Sequence, residues 1–288
     1  MAEVHANGID IWYETAGDPA GPPLLLIMGL GAQLIDWPVG FVDQLAGHGF
    51  HVVLFDNRDA GLSTALDDLG LPDAGAILGG DPSSAAYLLA DLAADAAGLL
   101  KALGIERAHV VGASMGGMIA QQLTIDHPDL VASLASIMST TGDRAVGHPT
   151  PEAAAALMRP PATSRAEAIA NGVAGARAIG SPGYPAPQAE IERRAAAKYD
   201  RGYRPAGTLR QYAAILASPD RTESLRDVTV PTVVIHGLDD PLVTVSGGEA
   251  TAAAVPGATL HVIPGMGHDL PVPLWPRLIE AIVTNTRR

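Results

Sequence analysis

AHVVGASMGGMIAQQ, residues 108–122, decides how this chain is read. A short β-branched apolar run passes through glycines into a helical pattern, which predicts a tight strand-to-helix turn. Ser114 stands at that turn, within Gly112-Ala113-Ser114-Met115-Gly116. A serine hydroxyl is a weak nucleophile unless it is held clear of the backbone beside a base, and such a turn supplies the exposure. Gly112 and Gly116 relieve the crowding that the turn creates, and a helix beginning near Met115 aims its partly positive end where an oxyanion would form. A similar spacing occurs at Gly61-Leu62-Ser63-Thr64-Ala65, but there Leu66 to Gly70 follows with no long amphipathic helix behind it. Ser114 is therefore the candidate nucleophile.

Outward from this unit, strands and helices alternate. Glu3 to Glu14 predicts a hairpin about Asn7-Gly8. Leu24 to Met28 and His51 to Phe55 read as strands buried on both faces, with a short helix over Phe41 to Gly47 between them. Ser84 to Leu103 carries leucines at helical spacing, and Gly104 is placed to stop it. Leu130 to Met138, Thr232 to His236 and Thr259 to Ile263 supply three further strands, and Leu274 to Thr286 a closing helix. Between Gly142 and Arg226 the strand pattern stops. That stretch is rich in Ala, Pro and Arg, with Ser164-Arg165-Ala166-Glu167 fitting a capping box, and it predicts a helical insert. No internal repeat is present. The expected organisation is a core over 1–141, a helical cap over 142–226 and the rest of the core over 227–288.

The chain has 288 residues, 48% hydrophobic and 17% charged, which places it among globular proteins with a large core. It has no apolar run long enough to span a bilayer and no signal-peptide pattern at Met1 to Gly8, so no membrane insertion and a cytoplasmic address are expected. The absence of cysteine removes disulfides, thiolate nucleophiles and thiolate metal sites together. A net charge of −13 disfavours nucleic acid and anionic membranes and leaves a small molecule as the expected partner.

Mostly parallel sheets place their sites at the carboxyl ends of the strands. Met28, Ser114, Met138, Asp240 and His268 all lie at or just beyond such ends. A nucleophilic serine needs a base and a group that orients the base. His268, in Pro264-Gly265-Met266-Gly267-His268, is the candidate base, and Asp240 the candidate acid, with Asp239 as its alternative. The other histidines, including His236, need only structural roles, and no metal-ligand spacing recruits them. Gly29-Leu30-Gly31 lacks the third glycine of a dinucleotide loop and any Walker lysine. The amides of Leu30 and Met115 are the expected oxyanion donors. Met28, Met138, Met158 and Met266 are the expected substrate-pocket residues, since flexible thioethers suit varied apolar groups.

Met28-Gly29, Trp37-Pro38, Arg58-Asp59-Ala60-Gly61-Leu62-Ser63, Ser114-Met115-Gly116, Asp240-Pro241 and Pro264-Gly265-Met266-Gly267-His268 together resemble the α/β-hydrolases, and within them the aclacinomycin methylesterase group. The resemblance implies an α/β-hydrolase fold: a mostly parallel central sheet flanked by helices, with a helical cap inserted after the sixth strand. It implies a triad of Ser114, Asp240 and His268, oxyanion amides at Leu30 and Met115, and acyl transfer to water without cofactor or metal. Two departures stand out: many relatives have His-Gly where this chain has Met28-Gly29, and a glycine where it has Asp59. The expected activity is hydrolysis of a small to medium apolar carboxylic ester, a methyl ester among the candidates. Perhydrolysis with peroxide, carbon-carbon bond hydrolysis and non-catalytic binding are the rival activities. The insert is expected to select the substrate and to contribute little to the chemical step, with Leu157, Met158 and Ile169 among its pocket residues.

Overall fold

The computed structural model describes residues 2–288. Its strands are β1 (Ala2–Ala6), β2 (Ile9–Ala16), β3 (Pro23–Ile27), β4 (His51–Phe55), β5 (Ala108–Ala113), β6 (Val131–Ile137), β7 (Thr232–Gly237) and β8 (Thr259–Ile263). They form one 8-stranded sheet in the order β1-β2-β4-β3-β5-β6-β7-β8. β1 and β2 pair antiparallel, as do β2 and β4, and the remaining neighbours are parallel. Asn7 and Gly8, at φ 51° and 79°, make the hairpin turn expected there.

The helices before the insert are α1 (Val39–Gly47), α2 (Ala74–Leu78), α3 (Leu89–Ala102) and α4 (Met115–Asp126). The stretch 142–226 holds α5 (Pro151–Leu157), α6 (Arg165–Ile179), α7 (Gln188–Gly202), α8 (Pro205–Ala217) and α9 (Thr222–Leu225), and no strand among the described residues. α10 (Val245–Ala254) and α11 (Trp275–Thr286) follow. No helix among the described residues is long and apolar enough to cross a membrane.

Strand residues alternate between two cores, as a sheet covered on both faces requires. Leu25, Ile27, Val53, Phe55 and Val110 pack with α3 and α4 on one face. Leu24, Leu26, Val52, Leu54 and Val111 pack with α1 and α11 on the other. Because the inner parallel strands are covered on both faces, their apolar runs are continuous rather than alternating, whereas the edge strand β8 exposes Thr259 and Leu260.

Two local expectations are corrected. The helix predicted from Ser84 begins at Leu89. Residues 82–84 form a separate turn whose Ser83 amide donates to Asp81, and the Asp91 carboxylate caps the Leu88 amide at 2.8 Å, fixing the later start. At the start of α6, Ser164 Oγ accepts from the Glu167 amide at 3.2 Å, but the Glu167 carboxylate takes the Thr163 amide at 2.7 Å instead of closing the box on Ser164.

Buried polar pairs tie the loops to this frame. Arg58 donates to Asp95 through Nε at 2.6 Å and Nη2 at 2.7 Å, its guanidinium lies 5.0 Å from the centroid of the Tyr87 ring, and Asn7 gives Asp95 a third bond at 2.8 Å. Burial pushes the Asp95 carboxyl above its ordinary value even though Arg58 opposes the shift.

The tightest backbone approaches are at glycines. A Cβ on Gly116 would collide with the carbonyl oxygen of Ile27, whereas one on Gly175, in α6, would meet nothing. Gly116→Ala is expected to cost about 3 kcal/mol, because the obstacle is backbone that cannot rotate away. Gly175→Ala should gain roughly 0.5–1 kcal/mol from helix propensity alone. Urea denaturation of the two variants checks both signs.

Candidate active site

β5 delivers its last residue, Ala113, to the sheet rim, and the chain reverses there into α4. Ser114 takes φ 57° and ψ −123°, a conformation that side-chain-bearing residues rarely adopt. The turn is this sharp because Gly112 lies against the backbone of Gly116, and Gly116 against that of Ile27. Ser114 Oγ is thereby presented to the loop after β8.

That loop brings His268 to the serine, with Nε2 2.9 Å from Ser114 Oγ. Its Nδ1 lies 2.7 Å from Asp240 Oδ2. A carboxylate only accepts, so Nδ1 carries the proton and Nε2 is left to accept from the serine hydroxyl. Asp240 is fully buried at the end of β7, and its Oδ1 accepts from the amides of Leu242 at 2.9 Å and Val243 at 3.0 Å. Asp239 faces the other way and accepts from the Gly265 amide at 2.6 Å. One aspartate thus meets the imidazole while its neighbour shapes the loop that carries it.

His236 stands behind Asp240, with Nε2 3.6 Å from Asp240 Oδ2. The same nitrogen donates to the Val243 carbonyl at 2.7 Å, and burial pushes the ring below the ordinary histidine range. His236 therefore props the Asp240 turn through the Val243 carbonyl. The His268 loop is also held from the insert side. The His268 amide donates to the Ile179 carbonyl at 2.7 Å, and the Gly267 amide to Ser181 Oγ at 2.8 Å. Ser181 Oγ in turn donates to Asp269, whose carboxyl burial raises above its ordinary value.

Leu30 follows β3 and Met115 opens α4. Neither amide has an acceptor among the described residues, and that of Met115 belongs to the first turn of a helix, whose amides have no partner within the helix. The next amide, that of Gly31, donates to Gln211 Oε1 at 2.8 Å. Asn57 donates to the Met28 carbonyl at 2.9 Å, fixing the other end of the same turn.

A cavity of about 670 Å³ reaches His268 from beneath the insert. Ala168, Ala176, Ile179, Ile191, Ala195 and Tyr199 give it apolar wall, while Asp36, Arg177, Arg194, Lys198 and Asp269 add charge. The expected methionines do not line it. Met28, Met138 and Met266 are buried in the core on the α1/α11 face, where their flexible side chains fill gaps between strand ends, and Met158 is 66% exposed at the end of α5. Leu157 and Ile169 are likewise absent from the cavity wall, which α6 and α7 build from other residues.

A buried polar cluster with no sequence motif lies behind the turn after β3. Asp59, at φ 67°, pairs with Arg210 through Oδ2–Nε at 2.8 Å and Oδ1–Nη2 at 2.7 Å, and Tyr87 donates to it at 2.7 Å. Burial alone would raise the Asp59 carboxyl, but Arg210, the Leu66 amide and Tyr87 together hold it below its ordinary value. A signal existed: residues 207, 210, 211 and 214 of α8 lie on one helical stripe, with Arg210 and Gln211 where apolar side chains belong.

Comparison with known proteins agrees with this architecture. Residues 22–272 match the sequence model of the alpha/beta hydrolase fold. The rhodomycin D methylesterase DauP of Streptomyces sp. (strain C5) is 30% identical, over 97% of this chain and 95% of its own. Among solved structures, the enol-lactonase from Burkholderia xenovorans LB400 superposes with a TM-score of 0.75 at 20% identity, covering 100% of both chains. The esterase RhEst1 from Rhodococcus sp. ECU1013 gives 0.75 at 23% identity, covering 99% of this chain and 97% of its own. With most of its length matched by the family and its sheet order, elbow and rim residues arranged as described, the chain belongs to the α/β-hydrolase fold family.

Proposed function

We propose that this protein is a serine carboxylic-ester hydrolase working through an acyl-enzyme, with Ser114 as nucleophile, His268 as general base and acid, and Asp240 as the group that orients and stabilises the imidazole. The observation that carries this reading is the unbroken hydrogen-bonded series Ser114–His268–Asp240, at 2.9 and 2.7 Å, set on a strained strand-to-helix turn.

The chemistry follows from the tautomer. Ser114 attacks the ester carbonyl as its proton passes to His268 Nε2, and Asp240 steadies the imidazolium that results. The oxyanion is received by the amides of Leu30 and Met115, the second at the positive end of α4. His268 returns the proton to the leaving alcohol. Water then repeats the sequence in reverse on the acyl-enzyme and restores the serine. Residues 142–226 serve as a cap whose α6 and α7 wall the cavity, so that an ester larger than an acetate fits beside His268. The methylesterase relative, similar over nearly the whole chain, supports ester hydrolysis as the reaction and a methyl ester as one substrate to try.

Ser114→Ala should lower turnover of an activated short ester by about 10³-fold or more at unchanged thermal stability, because nucleophile and base act as a unit. Unchanged turnover would overturn the assignment. For the acid, Asp240→Asn should lower kcat by about 10³–10⁴-fold, since the amide favours the wrong imidazole tautomer, while Asp239→Asn stays within about tenfold. The reverse order would move the acid to Asp239. For the cap, Ala176→Leu should lower kcat/KM for bulky esters by about tenfold or more and leave the shortest ester nearly unaffected, as pocket fit sets that ratio. A chain-length series measures it.

A further inference from the structure

We propose that Gln211 is a positioning residue for the oxyanion site, and that helix α8 thereby acts on the chemical step from within the insert. The inference rests on the serine-hydrolase reading above, because it takes the Leu30 amide as an oxyanion donor.

Gln211 is fully buried and spends both ends of its amide on main chain. Oε1 accepts the Gly31 N–H at 2.8 Å, and Nε2 donates to the Arg58 carbonyl at 2.7 Å. The Gly31 N–H belongs to the peptide plane that begins at Leu30. Holding that plane sets the backbone rotation of Leu30 and, with it, the direction of the neighbouring Leu30 N–H. Gly31 itself sits at φ 61°, a conformation that a free glycine would readily leave. A buried acceptor at hydrogen-bond distance is what keeps it there.

The holder must itself be fixed, and α8 is. Arg210, 1% exposed, locks onto Asp59 through two parallel bonds, and it also reaches the Gly70 carbonyl at 2.9 Å. A fork-to-fork pair resists sliding and rotation together, unlike a single contact. On the same face a Cβ on Gly207 would collide with the Asp59 backbone, and one on Gly31 would press on Thr208. Helix, Asp59 loop and oxyanion turn are therefore in register at three points. Gln211 has no exposed surface and both ends of its amide are taken by main chain, so it does not act by touching substrate. Donors aimed in advance at the developing charge supply a large share of acyl-transfer catalysis, and a small misplacement is costly. On this proposal the insert, expected to contribute little to the chemical step, divides its work: α6 and α7 wall the cavity, and α8 holds the donor.

The test compares Gln211→Met, which removes both bonds at similar volume, with Gln211→Glu. A buried glutamic acid is held protonated, and then matches the glutamine's acceptor and donor positions. For Gln211→Met, kcat on both a short and a bulky p-nitrophenyl ester should fall by about 10- to 100-fold, with KM within about twofold. Affinity for an alkyl trifluoromethyl ketone, whose adduct places an oxyanion in the same site, should fall by a similar factor, and Gln211→Glu should recover most of the loss. The proposal is overturned if Gln211→Met keeps wild-type kcat, if its loss is confined to the bulky ester or to KM, or if Gln211→Glu falls as far. Should Gln211→Met not fold, Gln211→Asn, one methylene too short to bridge both partners, carries the same comparison. Ser114→Ala, assayed alongside, separates the two levels. If it retains activity, the serine-hydrolase reading fails and this inference with it. If it is inactive while Gln211→Met behaves as wild type, only the positioning role falls.

Discussion

The contact between Gly116 and the Ile27 carbonyl is the constraint on which the rest depends. It lets α4 begin against the end of β3 and draws Ser114 into its strained turn. The same approach sets the start of α4 beside the turn after β3, where Gly29 lies against Ser114. Asp240 and His268 reach the rim on the loops after β7 and β8. The elbow stores backbone strain, and the cores on both faces of the sheet hold it in place.

The sheet was legible because a parallel sheet covered on both faces writes itself as short, unbroken apolar runs between turn residues. Each expected strand falls within a residue or two of its observed bounds. α10 was not legible. VSGGEATAAA has two glycines and no apolar stripe, and it becomes helical because β7, β8 and α9 pack around it. The start of α3 was misplaced for a related reason: short polar side chains over 81–84 bond their own backbone, and propensity alone does not reveal that competition.

At the site, Ser114, Asp240 and His268 could be named because strand ends and glycine-rich loops mark the rim. The pocket could not be read from residue type. Methionine signals adaptability, but Met28, Met138 and Met266 spend it in the core, and the cavity wall mixes small, apolar and charged residues with no signature in one dimension. The Asp59–Arg210 pair was invisible for a different reason. Its members are 151 positions apart, and each looks like a surface charge until the fold removes both from water. Once buried, the pair can be kept or replaced as a unit but not broken singly at low cost.

The Ile179 carbonyl, at the last residue of α6, accepts the His268 amide at 2.7 Å. The same helix that walls the cavity therefore carries a tether to the imidazole. A displacement of the end of α6 would pull on the backbone of His268, so the cavity wall and the loop that carries the imidazole are mechanically one piece.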